Sequence, residues 1–246
     1  MRWYRLVCIF VLGCVCGWGL EPASLYEEFV NPERIGAVFT SESEVKAFLQ
    51  TNKTALGYYQ VGVFYMYHAY GVLKVMKVSS KDARRLTREA INVFEKAEKL
   101  ESREPMLYSM LGGAYLFSSQ WGSVMDKMRN GRKGVFYNDK AVLMAPENLR
   151  IRENRLRNYL HLPPEYFPNI YQSIPEDADK LLAGVEKYQK EYGEYAREVR
   201  ALAYYGKGLV AFYKKDRVQA RENLQKVEKN TSLYDRAQEL LKRVGD

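Results

Sequence analysis

Tyr58-x-x-Val61-Gly62-x-x-Tyr65, Tyr108-x-x-Leu111-Gly112-x-x-Tyr115 and Tyr204-x-x-Lys207-Gly208-x-x-Ala211 are three copies of one phrase. Positions i, i+3, i+4 and i+7 share one face of an α-helix, so each copy sets a bulky residue, a small residue and a further ring or methyl in a line. Glycine inside a helix costs about 1 kcal/mol against alanine. A chain that places it three times at the same point of the phrase uses it where a second helix comes close. The phrase therefore predicts an all-α fold built from paired helices.

The second helices are visible downstream. Ala90-x-x-x-Phe94-x-x-Ala97 follows the first phrase, Ala141 to Ala145 runs into Pro146 after the second, and Ala220, Leu224 and Val227 follow the third in register. This combination resembles the tetratricopeptide repeat, in which a first helix carrying bulky, small and aromatic positions pairs with a second that ends at proline. The third copy has the repeat's spacing between Gly208 and Ala220, whereas Gly62 to Ala90 is longer by sixteen residues. The helices or the joining segment around Ser79 to Asp82 must therefore be extended. Residues 108–168 also resemble a wider group of uncharacterised bacterial tetratricopeptide-like proteins. Lys127 to Gly134, Asp139 to Val142, Ala145 to Asn148, Arg152, Arg155 and Leu162-Pro163 carry that likeness. It implies a degenerate helical-hairpin array, a right-handed α-solenoid, and brings no activity with it.

Reading outward, residues 1–19 form an export signal: Arg2 and Arg5 precede an apolar run from Leu6 to Val15, too short for a membrane span of roughly 20 residues. Three outcomes stay open. Cleavage after Gly17-Trp18-Gly19 gives a soluble chain starting at Leu20. Val11-Leu12-Gly13-Cys14 resembles a lipobox and makes Cys14 the candidate lipidation residue. An uncleaved anchor is the third. Residues 20–55 read as a lead-in with one short helix after Thr40, and residues 56–246 as the tetratricopeptide-like domain, closed by an amphipathic capping helix from Leu233 to Val244. Leu56 to Val78 is apolar nearly all round, but Gln60, His68, Lys74 and Lys77 interrupt it, which marks a buried central helix rather than a span. Pro175-Glu176-Asp177 reads as the cap of a helix running to Tyr192.

All three cysteines lie in the signal, so the exported part has no disulfide framework and depends on a packed core. The chain carries +8, and losing Arg2 and Arg5 with no acid leaves +6 on residues 20–246. The basic residues cluster as Arg84, Arg85 and Arg88, as Lys127, Arg129, Arg132 and Lys133, and as Arg150, Arg152, Arg155 and Arg157. All three clusters read as solvated helix faces, with an acidic protein or anionic surface as the functional alternative. Nothing resembles a nucleic-acid-binding motif.

No catalytic constellation is apparent. His68 and His161 lack a ligand partner at helical spacing, so no metal or other cofactor is expected; His68 reads as a core residue and His161 as a helix-end residue. Phosphate loops, nucleophile elbows and dinucleotide fingerprints are missing. An envelope hydrolase using paired carboxylates would start from Glu165, beside Tyr166 and Phe167.

The remaining signal is twenty tyrosines, concentrated on the first helices of the units. The tetratricopeptide resemblance implies that such helices line a concave groove, and places Tyr59, Met66, Tyr67, Phe117, Tyr205, Phe212 and Tyr213 in it. The expected function is a non-catalytic, exported adaptor that binds a protein or peptide, acidic given the chain's charge, with membrane contact only through the signal or a lipid. An accessory component of a solute transporter is the alternative, and the hydrolase a second one.

Overall fold

The computed structural model describes residues 39, 41–75, 80–100, 103–163, 165–188 and 193–245. The expected signal, the candidate lipidation residue Cys14 and most of the expected lead-in lie outside the described residues. Among them are ten α-helices and no strand: α1 (Glu42–Thr51), α2 (Ala55–Val75), α3 (Ser80–Lys99), α4 (Pro105–Ser118), α5 (Val124–Met144), α6 (Leu149–Tyr159), α7 (Ile170–Tyr188), α8 (Gly193–Tyr213), α9 (Arg217–Leu224) and α10 (Tyr234–Gly245). Two compact units divide at Ala145 and Pro146, inside the stretch that reads from sequence as one domain.

Local chemistry sets the helix starts. Ser41 caps α1 by accepting from the Glu44 amide, and Pro105 occupies the first turn of α4, where a missing N–H is harmless. Ser123 and Asp126 form a reciprocal capping box at α5, reached through Gly122 at φ +96°. Asn148 caps α6 by accepting from the amides of Arg150 and Ile151.

In unit 1, α2 packs on α3, α3 on α4 and α4 on α5. Buried Val61, Phe64, Tyr65 and Ala69 lie along α2, which also touches α4. A helix enclosed in this way is apolar on every side. No described helix is long and apolar enough to cross a membrane. The phrase glycines sit where the sequence places close approach. A Cβ on Gly62 would come within 2.4 Å of the Phe94 ring, one on Gly112 within 2.4 Å of the Asn138 amide, and one on Gly208 within 2.6 Å of Leu224. The extra length of the first pair lies in its helices, 21 residues in α2 and 20 in α3.

In unit 2, α7 packs against both α6 and α8, and α8 carries α9 and α10. Two sequence readings change here. Pro175 lies inside α7 and does not start it: the helix begins five residues earlier, where Ile170, Tyr171 and Gln172 donate to the carbonyls of Phe167, Pro168 and Asn169. That tight first turn brings the chain into helical geometry before the proline. The second change concerns Arg150, Arg152 and Arg155, which are buried and not a solvated face.

Asp177, fully buried on α7, is the reason. It accepts from Arg155 through both carboxylate oxygens, at 2.7 Å each, and from Arg152 at 2.7 Å. Arg152 also donates to Glu176 at 2.9 Å and to the Pro146 carbonyl, which ties α6 to α7 and to the chain entering the unit. Buried Glu153 accepts from Arg150 at 3.0 Å, from Arg157 at 2.8 Å and from the Tyr195 hydroxyl of α8. Burial alone would push the Glu153 carboxyl up, but Arg150 and Arg157 hold it below its usual range. At Asp177 burial prevails and raises the carboxyl, against the pull of Arg155 and Arg152.

Candidate functional site

The seven expected groove residues divide between the units. Tyr59 and Met66 are buried core side chains, because α2 is covered by its neighbours; Tyr59 packs its ring 6.0 Å from Phe94. The Tyr67 side chain lies outside the described residues. Phe117 is half-buried and meets Trp121 edge to face at 5.1 Å, beyond the end of α4. Tyr205, Phe212 and Tyr213 are brought together on α8 in unit 2.

This α8 cluster is built from two elements. Tyr213 meets Phe212 at 5.8 Å and Tyr171 of α7 at 5.3 Å, both edge to face, the arrangement that ring quadrupoles favour. The Tyr171 hydroxyl donates to the Leu162 carbonyl at 3.3 Å, fixing the ring beneath Tyr213. Burial raises the Tyr171 and Tyr205 phenols above their ordinary range, so both remain neutral donors at physiological pH. Arg243 of α10 lies over the Phe212 ring, 4.9 Å from its centre. Tyr213 is 44% exposed, and Tyr166, in the turn before α7, is 61% exposed.

The turn after Tyr213 is closed by backbone hydrogen bonds. Lys215 adopts φ +61°, its amide donates to Phe212 and the Asp216 amide to Ala211, a pattern that closes the last turn of α8. Asp216 then caps α9 by accepting from the Gln219 amide. The same turn carries exposed Lys214, Lys215, Asp216 and Arg217. An exposed aromatic surface with charged residues of both signs around it results, Arg243 lying over one ring and Glu165 and Glu239 acting on Tyr171 and Tyr205, and nothing in the tyrosine count distinguishes these rings from the buried ones.

Unit 1 holds a second aromatic group that the sequence reading did not single out. Tyr137 of α5 stacks between Tyr115 and Tyr108 of α4, at 5.8 Å with 7° between planes and at 6.2 Å with 17°. Glu95 accepts from Tyr115, Glu98 accepts from Tyr137 at 2.8 Å, and Lys133 and Lys140 lie over the outer rings at 4.6 Å and 3.8 Å. Desolvation, followed by the hydrogen bond to Glu95, raises the Tyr115 phenol, which removes it as a base at neutral pH. Its partners are satisfied within the unit, so the stack serves as a polar seam joining α3, α4 and α5. The seven-residue spacing of Tyr108 from Tyr115 and of Lys133 from Lys140 is the signal that could have found it.

Glu165 is exposed in the turn before α7. His68 is half-buried against the Phe64 ring at 4.3 Å, and burial lowers its pKa; His161 is exposed. No group of His, Cys, Asp or Glu among the described residues could hold a metal. No family model matches the chain, and neither a curated protein nor a solved structure matches it.

Proposed function

We propose that the chain is a non-catalytic, tetratricopeptide-like adaptor of the bacterial cell envelope, a helical-hairpin array that binds an acidic protein or peptide segment through the α8 aromatic face. The exposed Tyr213 ring, seated on Tyr171 and Phe212, with Arg243 over Phe212 and exposed Lys214, Lys215 and Arg217 following it in the chain, carries this reading. Aromatic and arginine side chains dominate binding hot spots because they supply contact area and charge at small entropic cost. The solenoid reading rests on the three phrase glycines, each facing the helix that follows it. Export rests on the basic start and short apolar run, and an N-terminus at Leu20 or an acylated Cys14, read by mass spectrometry of the native protein, would support it. An intact Met1 in the cytoplasm counts against it.

The binding test is affinity capture from envelope extract with the parent chain and with Tyr213→Ala. The reading expects a captured protein whose recovery falls roughly tenfold or more in the variant, in keeping with an anchor worth about 2 kcal/mol, while the melting temperature stays close to the parent's. Equal recovery by both chains removes the α8 face as the binding surface.

A further inference from the structure

We propose that the joint outer face of α3 and α5 in unit 1 docks on an anionic lipid bilayer, with Met125, Phe136 and Leu143 entering the headgroup layer. The two helices run side by side in the same direction. Arg84 of α3 lies within electrostatic reach of Asp126 near the start of α5, Glu95 is 3.7 Å from Lys133, and Glu98 is 3.7 Å from Lys140 and accepts from Tyr137 at 2.8 Å. On α3, Ala83, Ala90 and Ala97 are buried, and at 3.6 residues per turn Lys81, Arg88 and Lys99 lie within about 20° of the line opposite Ala90. On α5, Gly134 is buried, a Cβ there would come within 2.4 Å of Leu116, and Met125, Arg132, Phe136 and Leu143 lie within about 20° of the line opposite it. These residues form one face, roughly 27 Å long on each helix, which joins two of the basic clusters of the sequence.

The charge on this face has one sign, and that selects the occupant. Every exposed charged residue of α3 and α5 is a cation, whereas their acids are half-buried: Glu95 and Glu98 turn to Tyr115 and Tyr137, and Asp126 caps its own helix and pairs with Arg129 at 2.7 Å. Arg85, Arg129 and Lys133 are engaged by Glu42, Asp126 and Glu95, but Lys81, Arg88, Lys99, Lys127 and Arg132 form no ion pair among the described residues. Met125 is 80% exposed, Phe136 60% and Leu143 82%, with Arg132 between the first two. Single apolar side chains set among cations give no continuous patch for a protein interface. They suit a bilayer surface, where apolar groups reach about 5–10 Å into the boundary of headgroups and acyl chains while the cations stay with anionic headgroups. A second copy would set cation against cation, and a nucleic acid has no apolar layer for Met125 and Leu143. An acidic protein would need a carboxylate and an apolar pocket in register with each side chain, whereas a fluid leaflet supplies both wherever the face lands. The face belongs to a different unit from the α8 cluster, so the two proposals stand or fall separately.

Co-sedimentation of the purified full chain with vesicles of phosphatidylglycerol and phosphatidylcholine, and with vesicles of phosphatidylcholine alone, tests the face. The expected result is a preference for the anionic vesicles that weakens as salt is raised. Arg88→Gln/Arg132→Gln should lower the affinity for them on the order of tenfold or more, since each basic side chain near such a surface is worth roughly fivefold. Arg221→Gln/Lys229→Gln removes the same charge from exposed sites of unit 2 and should leave binding as it was. Phe136→Ser/Leu143→Ser should weaken binding at high salt as well as at low, because it removes the inserted side chains. Residues 1–19 are common to every chain, so any lipid affinity of the apolar start cancels in these comparisons. Circular dichroism melts confirm that the exposed substitutions leave the fold intact. Equal binding by the parent and Arg88→Gln/Arg132→Gln, an equal loss in the unit 2 control, or full binding by Phe136→Ser/Leu143→Ser would overturn the proposal, as would indifference to the anionic lipid.

Discussion

Asp177→Ala tests whether the Arg150–Arg157 segment is a structural lock or a free cationic surface. The substitution removes three charge-assisted hydrogen bonds of 2.7 Å and leaves the buried guanidiniums of Arg152 and Arg155 without that carboxylate. Arg155 loses both carboxylate oxygens, whereas Arg152 keeps Glu176 and the Pro146 carbonyl. Breaking a buried ion pair from one side costs about 3–5 kcal/mol, most of it the penalty of an uncompensated charge. For a unit of roughly 100 residues that corresponds to a melting temperature lower by on the order of 10 °C or more. Urea denaturation followed by far-ultraviolet circular dichroism measures the loss directly, as a lower midpoint at unchanged slope. Replacing the whole group, Arg152→Met/Arg155→Met/Asp177→Leu, should recover most of the stability, because apolar packing often equals a buried ionic cluster. A variant Asp177→Ala within about 1 kcal/mol of the parent would refute the lock, since that is the range of a solvated surface pair.

Gly112→Leu and Gly208→Leu should each cost about 1–3 kcal/mol in thermal melts, because even a Cβ would meet Asn138 at 2.4 Å and Leu224 at 2.6 Å, whereas Gly245→Ala, with nothing within 4 Å, should be neutral. Glu153 is held below the ordinary carboxyl value of 4.5, so its contribution is complete above that pH and is lost as pH falls through the depressed folded value. Melting curves against pH should therefore show an acid loss that is smaller in Glu153→Gln. Ser123→Ala removes the capping box of α5 and should lower stability by about 1 kcal/mol in the same melts.

The glycine phrase was legible because its information is local: spacing alone places Gly62, Gly112 and Gly208 on one face each, and a helix that must be approached closely has few residues to choose from. The all-helical class and the final amphipathic helix follow from periodicity in the same way. The arginine lock was not legible. Arg150, Arg152, Arg155 and Arg157 read in sequence as one basic run, and the burial of Arg150, Arg152 and Arg155 depends on Asp177 and Tyr195, which reach them from α7 and α8. Pro175 misled for a related reason, since the turn that starts α7 is made by Pro168 and its neighbours before the proline is reached. Among the aromatic residues, sequence placed Tyr205, Phe212 and Tyr213 on one helix but gave no means of separating them from Tyr59, whose burial is decided by the helices packed around α2.

The binding reading meets its most direct test in the cell, with a photo-crosslinking amino acid placed at Tyr213 and, as a control, at exposed Glu186 near the other end of the α7 helix that supports the cluster. A partner held on the α8 face predicts a discrete covalent adduct with an envelope protein from position 213 and none from 186, the adduct being lost when Phe212→Ala is added. Absence of any adduct from position 213, or equal labelling from both positions, would contradict it.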